Sequence, residues 1–372
     1  MKTLRRMVYG EVLRAVGFVT LAFLALFFFF DLMDAFGRME RGARYGYHMG
    51  HGVLMTLLQV PGHIYELMPI AALIGAIYVM ARLAESSEFT IMRTSGLEPH
   101  QALLTLLGLG MGFVALTFAF GDYIAPEALR VEQHMRARYL GDITSGRTGA
   151  WLKDQRGGRE WAVNVRAIGA GGQLQRIRMF EFDAPGGRLL ATIHAYSGHD
   201  TGDGRWRLER VVQRDFARAD AESAAALGVR VQRLPLLDWH TELSADMVAT
   251  ALLAPERMQT LELLGYISHL KTNGQSAQRY EIQFWRKVFY PLSCLVMMVL
   301  ALPFAYLHFR SGNITGFVFL GVLVGISFFL LNNVFGHIGD LNNWVPWLAA
   351  AAPGALYSAL SLAAFGWLVL RR

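Results

Sequence analysis

Arginine side chains cluster beside the long apolar segments of this chain, and their chemistry suits phosphate. The candidate anion ligands are Arg38, Arg41, Arg44, Arg136, Arg138 and Arg286, with Arg130, Arg279 and Lys287 nearby. A guanidinium offers a planar fork of donors that matches phosphate oxygens. Because three separate segments supply these cations, one anionic ligand accounts for the whole set. Snorkelling at a membrane surface, with partial neutralisation by Asp34 and Glu40, explains each residue taken singly.

Groups suited to covalent or metal chemistry are sparse. Glu66 lies inside an apolar segment, where an acid suggests a function unless it sits at the membrane interface. His337 and Asp340 are spaced like two metal ligands, but no third ligand is close to them in sequence. No G-x-x-x-x-G-K-[ST] motif occurs, which excludes nucleotide hydrolysis of the P-loop kind. We therefore predict a protein that is not an enzyme and has no catalytic residues, metal or cofactor.

A short polar segment, residues 84–96, separates two of the apolar segments and carries helix signals. Its informative residues are, in order, Glu85, Glu88, Phe89, Ile91, Met92, Arg93 and Gly96. Acids come first, a cation comes late and a glycine follows, as expected of a helix with a defined end. A soluble partner on one membrane face can push on the spanning segments through such a helix.

The composition is that of a membrane protein. Hydrophobic residues make up 53% of the chain and charged residues 17%, below the roughly 25% usual in soluble domains. The net charge of +6 favours anionic lipid over nucleic acid, because the basic residues lie beside apolar runs. A single cysteine, Cys294, excludes a disulfide within the chain.

Six apolar segments are long enough to cross a bilayer about 30 Å thick, which takes about 20 helical residues. They are residues 12–33, 64–81 (extended back through 53–60), 101–121, 288–307, 314–335 and 344–370. The first is too long for a secretory signal and lacks a small-x-small cleavage site, so we predict that it is retained. In the fifth, Gly321 and Gly325 permit close helix packing.

The sequence between the third and fourth segments alternates polar and apolar residues. Examples are residues 161–166, 176–179 and 206–211, with turn signals at 157–158, 169–172, 185–187 and 202–204. This pattern predicts an all-β sandwich or jelly-roll domain. Beyond it, Leu261, Leu264, Ile267 and Leu270 recur at helical spacing and predict an amphipathic helix that ends at residues 273–274.

The predicted fold class is a polytopic α-helical membrane protein, three spans on either side of an inserted all-β jelly-roll domain. The predicted divisions are residues 1–125, which include the short helix, then 126–255 and 256–372. Basic residues precede the first span and end the chain, which places both termini in the cytoplasm. Parity then places the 84–96 helix in the cytoplasm and the β domain outside, in the periplasm.

The chain resembles the LptF/LptG family of lipopolysaccharide export permeases in the order of its elements and in short sequences. These are VP at 60–61, LAESSEFTIMRTSG at 83–96, YIAP at 123–126, WLKD at 151–154, WRL at 206–208, GQSAQRY at 274–280 and WRKVFYPLS at 285–293. The last two resemble LptG members more than LptF members, and an LptF-type subunit is the alternative.

This resemblance implies the permease subunit of an ABC transporter in the bacterial inner membrane. Such a transporter extracts lipopolysaccharide from the outer leaflet and passes it to a periplasmic bridge. The implied partners are an LptF-like permease, an LptB-like ATPase dimer that hydrolyses the ATP, and an LptC- and LptA-like bridge.

The same resemblance implies roles for particular residues. The 84–96 helix becomes the coupling helix, with Glu88 matching its family acid and Glu85, Phe89, Met92, Arg93 and Gly96 contributing to ATPase coupling. Arg38 and Arg136 are expected to face lipopolysaccharide phosphates. Asp31 departs from the family pattern by replacing a lysine, and Arg41 or Arg44 is a candidate to supply the missing charge.

Two other function classes compete with this interpretation. A secondary transporter needs intramembrane charges, but only Glu66 and Asp31 are candidates and the 84–96 helix would have no role. A lipid-modifying enzyme needs an outer cluster of acids, bases or metal ligands, which the sequence does not offer. For the export permease, we expect a β-domain interior for acyl chains that is open at its ends. That interior should include some of Trp161, Val163, Ile177, Met179 and Leu208.

Overall fold

The computed structural model of the chain divides into two compact units. It describes residues 2–39, 46–140, 149–168, 173–183, 187–216, 229–241, 243, 247–248, 255–272, 274–306 and 314–367. The first unit, called the membrane unit here, comprises Met1–Gly37, Met49–Arg130 and Gln278–Arg372. The second, the β unit, comprises Arg38–His48 and Val131–Ala277.

Long apolar helices build the membrane unit. They are α1 (Lys2–Gly37), α2 (Met49–Glu85), the short α3 (Glu88–Thr94), α4 (Pro99–Ala119), a π-helical turn (Phe120–Ile124), the start of α5 (Ala125–Leu140), α7 (Gln278–Phe289), α8 (Ser293–Ala301), a 3-10 turn (Leu302–Tyr306), α9 (Ile314–Leu341) and α10 (Pro346–Phe365). Five helices in the described residues can each cross a membrane, and a sixth span forms if Gln278–Phe289 and Ser293–Tyr306 are counted together. The polytopic class predicted from hydropathy is confirmed.

The second span, α2, lies at the centre of the membrane unit. In its most apolar 18-residue window 83% of the residues are buried, against 11% in α1 and 17% in α9. Glycines allow the close contacts that bury it: a Cβ added to Gly75 would lie 2.7 Å from Val16 Cγ2, and Gly321 and Gly325 of α9 face Ile77 and Ile70. The close packing predicted for the two α9 glycines is therefore used within the chain.

The fourth predicted span is broken. The helices Gln278–Phe289 and Ser293–Tyr306 meet at an angle of 45°, with Pro291 in the turn between them. Proline removes a backbone donor and clashes with the preceding turn, which favours a break or a kink at this position. The third span, in contrast, continues beyond its predicted end at residue 121, through the π-helical turn into α5.

Six antiparallel strands form the sheet of the β unit. They are β1 (Ala150–Arg156), β2 (Arg159–Ile168), β3 (Leu174–Asp183), β4 (Arg188–Asp200), β5 (Arg205–Phe216) and β6 (Val229–His240). Neighbours in the sheet follow the order of the chain, so consecutive strands are joined as hairpins. The all-β insertion predicted from the alternating pattern is confirmed.

One face of this sheet is an apolar core. Val163, Ile177, Met179 and Leu208 are each at most 1% exposed, and the register sets Val163 beside Met179. Trp161 is only half-buried and stacks edge-on against Trp239. Four of the five residues predicted for the interior therefore lie in it, and their side chains are covered.

The predicted amphipathic helix is α6, Thr260–Thr272, in the β unit. Its buried face consists of Leu263, Tyr266, Ile267 and Leu270, which follow helical spacing. Leu261 and Leu264, expected on that face, are 76% and 45% exposed. The prediction was wrong for two of its four residues. Leu263 and Tyr266, and not Leu261 and Leu264, share a face with Ile267 and Leu270.

Candidate functional site

The 84–96 segment forms its own helix, which is shorter than predicted. Glu85 is the last residue of α2, and Ser86 and Ser87 make a turn before α3 begins at Glu88. Ser87 adopts φ +58° and its hydroxyl makes no capping bond. The acid Glu88 in the first turn and the cation Arg93 in the last complement the helix dipole.

The end of α3 is a Schellman motif. The Leu97 N–H donates to the Met92 carbonyl at 3.0 Å, and the Gly96 N–H donates to the Arg93 carbonyl at 3.0 Å. Gly96 has φ +96°, a backbone conformation that favours glycine. The predicted stop at Gly96 thus has a specific geometric cause.

The inner face of α3 is fastened to the bundle. Phe89 and Met92 are 4% and 8% exposed. The Phe89 ring packs edge-on against Tyr306, with centroids 5.0 Å apart, and the Arg93 guanidinium carbon lies 5.0 Å from the centre of the same ring. A cavity of about 20 Å³, lined partly by Met92 and Leu97, separates α3 from the helices beneath it. Two side chains of α3 therefore contact Tyr306 in the 3-10 turn.

The outer face of α3 is open. Glu85, Arg93 and Gly96 are exposed and Glu88 is half-buried. Ile91, which was not among the predicted coupling residues, is 62% exposed. An exposed isoleucine between charged residues suits a protein contact. The sequence spacing could have revealed that Ile91 is exposed. It lies two residues after Phe89 and one before Met92, and those two side chains occupy the opposite face of the helix.

The predicted arginines have different environments. In the β unit, Arg38 Nε is covered and lacks a hydrogen-bond partner among the described residues. Arg136 Nε donates to Glu132 Oε1 at 2.9 Å, and the Glu132 side chain is 1% exposed. Arg41 and Arg44 lie outside the described residues, and so does the side chain of Arg138, whose backbone is in α5. Arg286 belongs to the membrane unit and donates through Nη2 to Asn333 Oδ1 of α9 at 2.8 Å.

Lys287 contacts the π-helical turn of the third span. It is 8% exposed, and Nζ donates to the Gly121 carbonyl at 3.2 Å and lies 3.8 Å from Asp122 Oδ1. A π-helical turn leaves carbonyl groups outside the regular α-helical pattern. The lysine thus pairs with the third span, and sequence reasoning placed it with the anion ligands because the pairing joins residues distant in the chain.

An acid and an imidazole meet between α1 and α2. His63 Nε2 lies 2.7 Å from Asp31 Oδ2, with the two side chains 19% and 22% exposed. Phe27 stacks on the imidazole with ring centroids 4.9 Å apart. Asp31 of α1 is thus held against α2. Glu66 is exposed on the surface of α2, and its backbone carbonyl accepts a hydrogen bond from Tyr290 Oη at 2.6 Å.

Metal chemistry finds no support in the part of the chain that the structure describes, where no group of three or more His, Cys, Asp or Glu side chains is arranged to hold an ion.

Comparison with known proteins decides the family. The family described as lipopolysaccharide export system permease LptF/LptG matches residues 6–370. The chain belongs to this family. Among similar LptF/LptG relatives is the lipopolysaccharide export system permease protein LptG of Escherichia coli strain K12, 30% identical over 325 residues, which cover 86% of this chain and 85% of the relative. The LptG protein of Haemophilus influenzae strain Rd is 27% identical over 373 residues, covering 100% of this chain and 98% of the relative.

Proposed function

We propose that the chain is the LptG-type permease subunit of a lipopolysaccharide export ABC transporter. The observation that carries the proposal is the family match over residues 6–370, on a fold with apolar spans around an antiparallel β insertion. Relatives named LptG align over 85% and 98% of their length, which favours the G-type over the F-type subunit. In this function an LptF-like permease completes the membrane unit, and LptC- and LptA-like proteins receive the lipid.

The cytoplasmic side of the proposed transporter contains α3. An LptB-like ATPase dimer docks on the exposed face formed by Glu85, Glu88, Ile91 and Arg93, while Phe89 and Met92 anchor the helix to the bundle. We assign Phe89 and Met92 to the bundle and not to the ATPase contact because of their burial. A side chain that is 4% or 8% exposed cannot supply much area to a partner. Both termini are cytoplasmic and the β unit is periplasmic in this arrangement.

Energy input is required because lipid extraction exposes acyl chains. Transfer of each CH₂ to water costs about 0.8 kcal/mol, and a charge-assisted hydrogen bond contributes only about 1.5–3 kcal/mol. A few arginines thus hold a phosphate without offsetting the removal of several acyl chains. ATP-driven closure, transmitted through α3, supplies the difference.

Among the candidate arginines whose side chains the structure describes, Arg38 has the most to gain from an anion. Its Nε is covered and lacks a protein acceptor among the described residues, so a phosphate oxygen would satisfy it. Arg136 already donates through Nε and Nη2 to Glu132, which fixes its guanidinium and leaves Nη1 to face an anion. We therefore propose that Arg38 and Arg136 contact lipopolysaccharide phosphates, with Arg41, Arg44 and Arg138 in supporting positions. Arg286, in the membrane unit, is a separate candidate for an anion contact.

The β unit passes acyl chains only if its core opens. Its inner side chains Val163, Met179 and Leu208 are covered, so an entering chain must part the strands from what covers them. A photo-crosslinking residue at Met179 should capture lipopolysaccharide only when ATP is supplied. The matched control is Arg178, the exposed neighbour on the same strand, which should capture little lipid under either condition. Equal capture at both positions, or capture independent of ATP, contradicts passage through the core.

The decisive experiment reconstitutes the chain with an LptF-like subunit and an LptB-like ATPase in nanodiscs that contain lipopolysaccharide. ATP should release lipopolysaccharide to an added periplasmic bridge protein. Glu88→Lys should reduce ATPase docking and lipid-stimulated hydrolysis, because it reverses charge at the contact, whereas Glu98→Lys, just beyond α3, should not. Arg38→Glu with Arg136→Glu should lower bound lipopolysaccharide while ATPase content stays unchanged. No ATP-dependent release in the wild-type complex contradicts the proposed function.

A further inference from the structure

A groove of about 510 Å³ lies between α1, α2 and α9. Phe18 and Val19 of α1, Ile74 of α2 and Val318 of α9 supply apolar wall. Such a wall takes an acyl chain or a glycerol backbone and does not suit a free anion. The groove includes Arg82, three residues before the end of α2, so it opens near the end of the bundle that carries α3.

Charged side chains occupy one part of the groove. Arg14, Arg82 and Glu11 all line it, which gives a local charge of one net positive. Arg82 Nη2 donates to Glu11 Oε1 at 3.2 Å. Glu11 Oε2 is covered and has no hydrogen-bond partner within the described structure. A covered carboxylate oxygen without a donor is costly, so this oxygen calls for a donor that the described chain does not provide.

We propose that this groove binds a phospholipid whose headgroup carries both a phosphate and a primary ammonium, as phosphatidylethanolamine does. The phosphate is held by Arg14 and Arg82, since guanidinium groups suit phosphate oxygens. The ammonium donates to Glu11 Oε2 after a small rotation of the carboxylate. The glycerol and the first acyl methylenes lie on the apolar wall formed by Phe18 and Val318.

Three features select this ligand over others. A phosphatidylglycerol headgroup has no cation to pair with Glu11, and a phosphatidylcholine headgroup has a cation without N–H donors. A free phosphate leaves the apolar wall bare. The proposal rests on the proposed function for its orientation, which puts the groove in the cytoplasmic leaflet, on the side opposite the outer-leaflet lipopolysaccharide.

The test uses the co-purified transporter complex in nanodiscs that contain equal amounts of phosphatidylethanolamine, phosphatidylglycerol and phosphatidylcholine with distinguishable acyl masses. A photo-crosslinking residue replaces Tyr78, which lines the groove and is 41% exposed. The control probe replaces Leu104, which is 57% exposed on α4. Captured lipids are identified by mass spectrometry without ATP, so the outcome is separate from the transport assay that tests the proposed function.

At Tyr78 we expect phosphatidylethanolamine to exceed phosphatidylcholine about tenfold, the ratio that corresponds to about 1.4 kcal/mol. Capture at Leu104 should follow the bilayer composition. Glu11→Gln should remove the preference for phosphatidylethanolamine over phosphatidylglycerol, and Arg82→Gln should lower capture of every phospholipid. The proposal is overturned if the Tyr78 probe captures the three lipids in bilayer proportion, captures a partner polypeptide in place of lipid, or keeps its selectivity in Glu11→Gln.

Discussion

Replacing Gly96 with valine tests the turn that ends α3, the proposed coupling helix, separately from the side chains of that helix. Gly96 has φ +96°, where an L-residue costs roughly 1–2 kcal/mol. A Cβ at this position meets no heavy atom within 4 Å, so the cost comes from the backbone and not from a clash. The α3 helix has only 7 residues, too few to persist without tertiary support.

The expected effect follows from that cost. A change of 1.4 kcal/mol is tenfold in an equilibrium, so Gly96→Val should weaken ATPase docking about five- to thirtyfold. Gly96→Asn should be milder, because asparagine tolerates positive φ better than valine does. Gly112→Ala is the matched control: it also has nothing within 4 Å, but it lies in the regular helix α4.

The assay titrates the ATPase onto the nanodisc complex and measures the dissociation constant by fluorescence. Thermal unfolding of the membrane subunits without ATPase shows whether the fold itself has changed. If Gly96→Val binds the ATPase as tightly as wild type, or if valine and asparagine behave alike, the positive-φ turn does not position α3.

Three further perturbations follow from the described contacts. Lys287→Met should lower stability by about 3 kcal/mol, because Asp122 loses a cation in a buried site, while Lys287→Met with Asp122→Leu should be milder in thermal unfolding. Asp31→Asn should cost about 1 kcal/mol, and exchanging Asp31 with His63 should recover part of it. Burial, and secondarily nearby arginines, lower the pKa of His194. The unfolded state therefore takes up the His194 proton before the folded state does, so the β unit loses stability as pH falls below about 6.5. His194→Gln should make β-unit unfolding less sensitive to pH between 7.5 and about 5.5.

Hydropathy predicted the spans because apolar runs must be buried or covered by lipid, but it could not locate helix ends. The first predicted span, residues 12–33, lies inside the longer helix α1, Lys2–Gly37. A helix can continue into polar sequence outside the membrane, because the polar side chains there need not be buried. The break in the fourth predicted span lies at Pro291. Hydropathy averaged over a window of residues does not reveal the effect of a single proline. Alternation predicted the β insertion, yet it could not order the strands in the sheet.

Site residues divide in the same way between local and distant partners. The pairing of Arg136 with Glu132 is i,i+4 on one helix and is accessible to sequence reasoning. The pairing of Lys287 with Asp122 joins two spans separated by the whole β insertion. Charge type alone placed Lys287 among the anion ligands, because nothing in its own neighbourhood distinguishes a buried cation from one that faces solvent.

The burial pattern of α2 explains how one helix can link the two ends of the proposed transporter. Between residues 67 and 83, every side chain except Tyr78 and Arg82 is buried or in the core, so this half moves as part of the bundle when α3 moves. Before residue 67 most side chains are only half-buried, and Pro61 lies in that half; Pro69 lies at the start of the buried half, beside the boundary. Proline weakens the helical hydrogen-bond ladder and permits bending. In the proposed transporter, we expect a push on α3 to move the buried half of α2 with the bundle and to bend α2 near the two prolines, next to the half that holds His63 against Asp31.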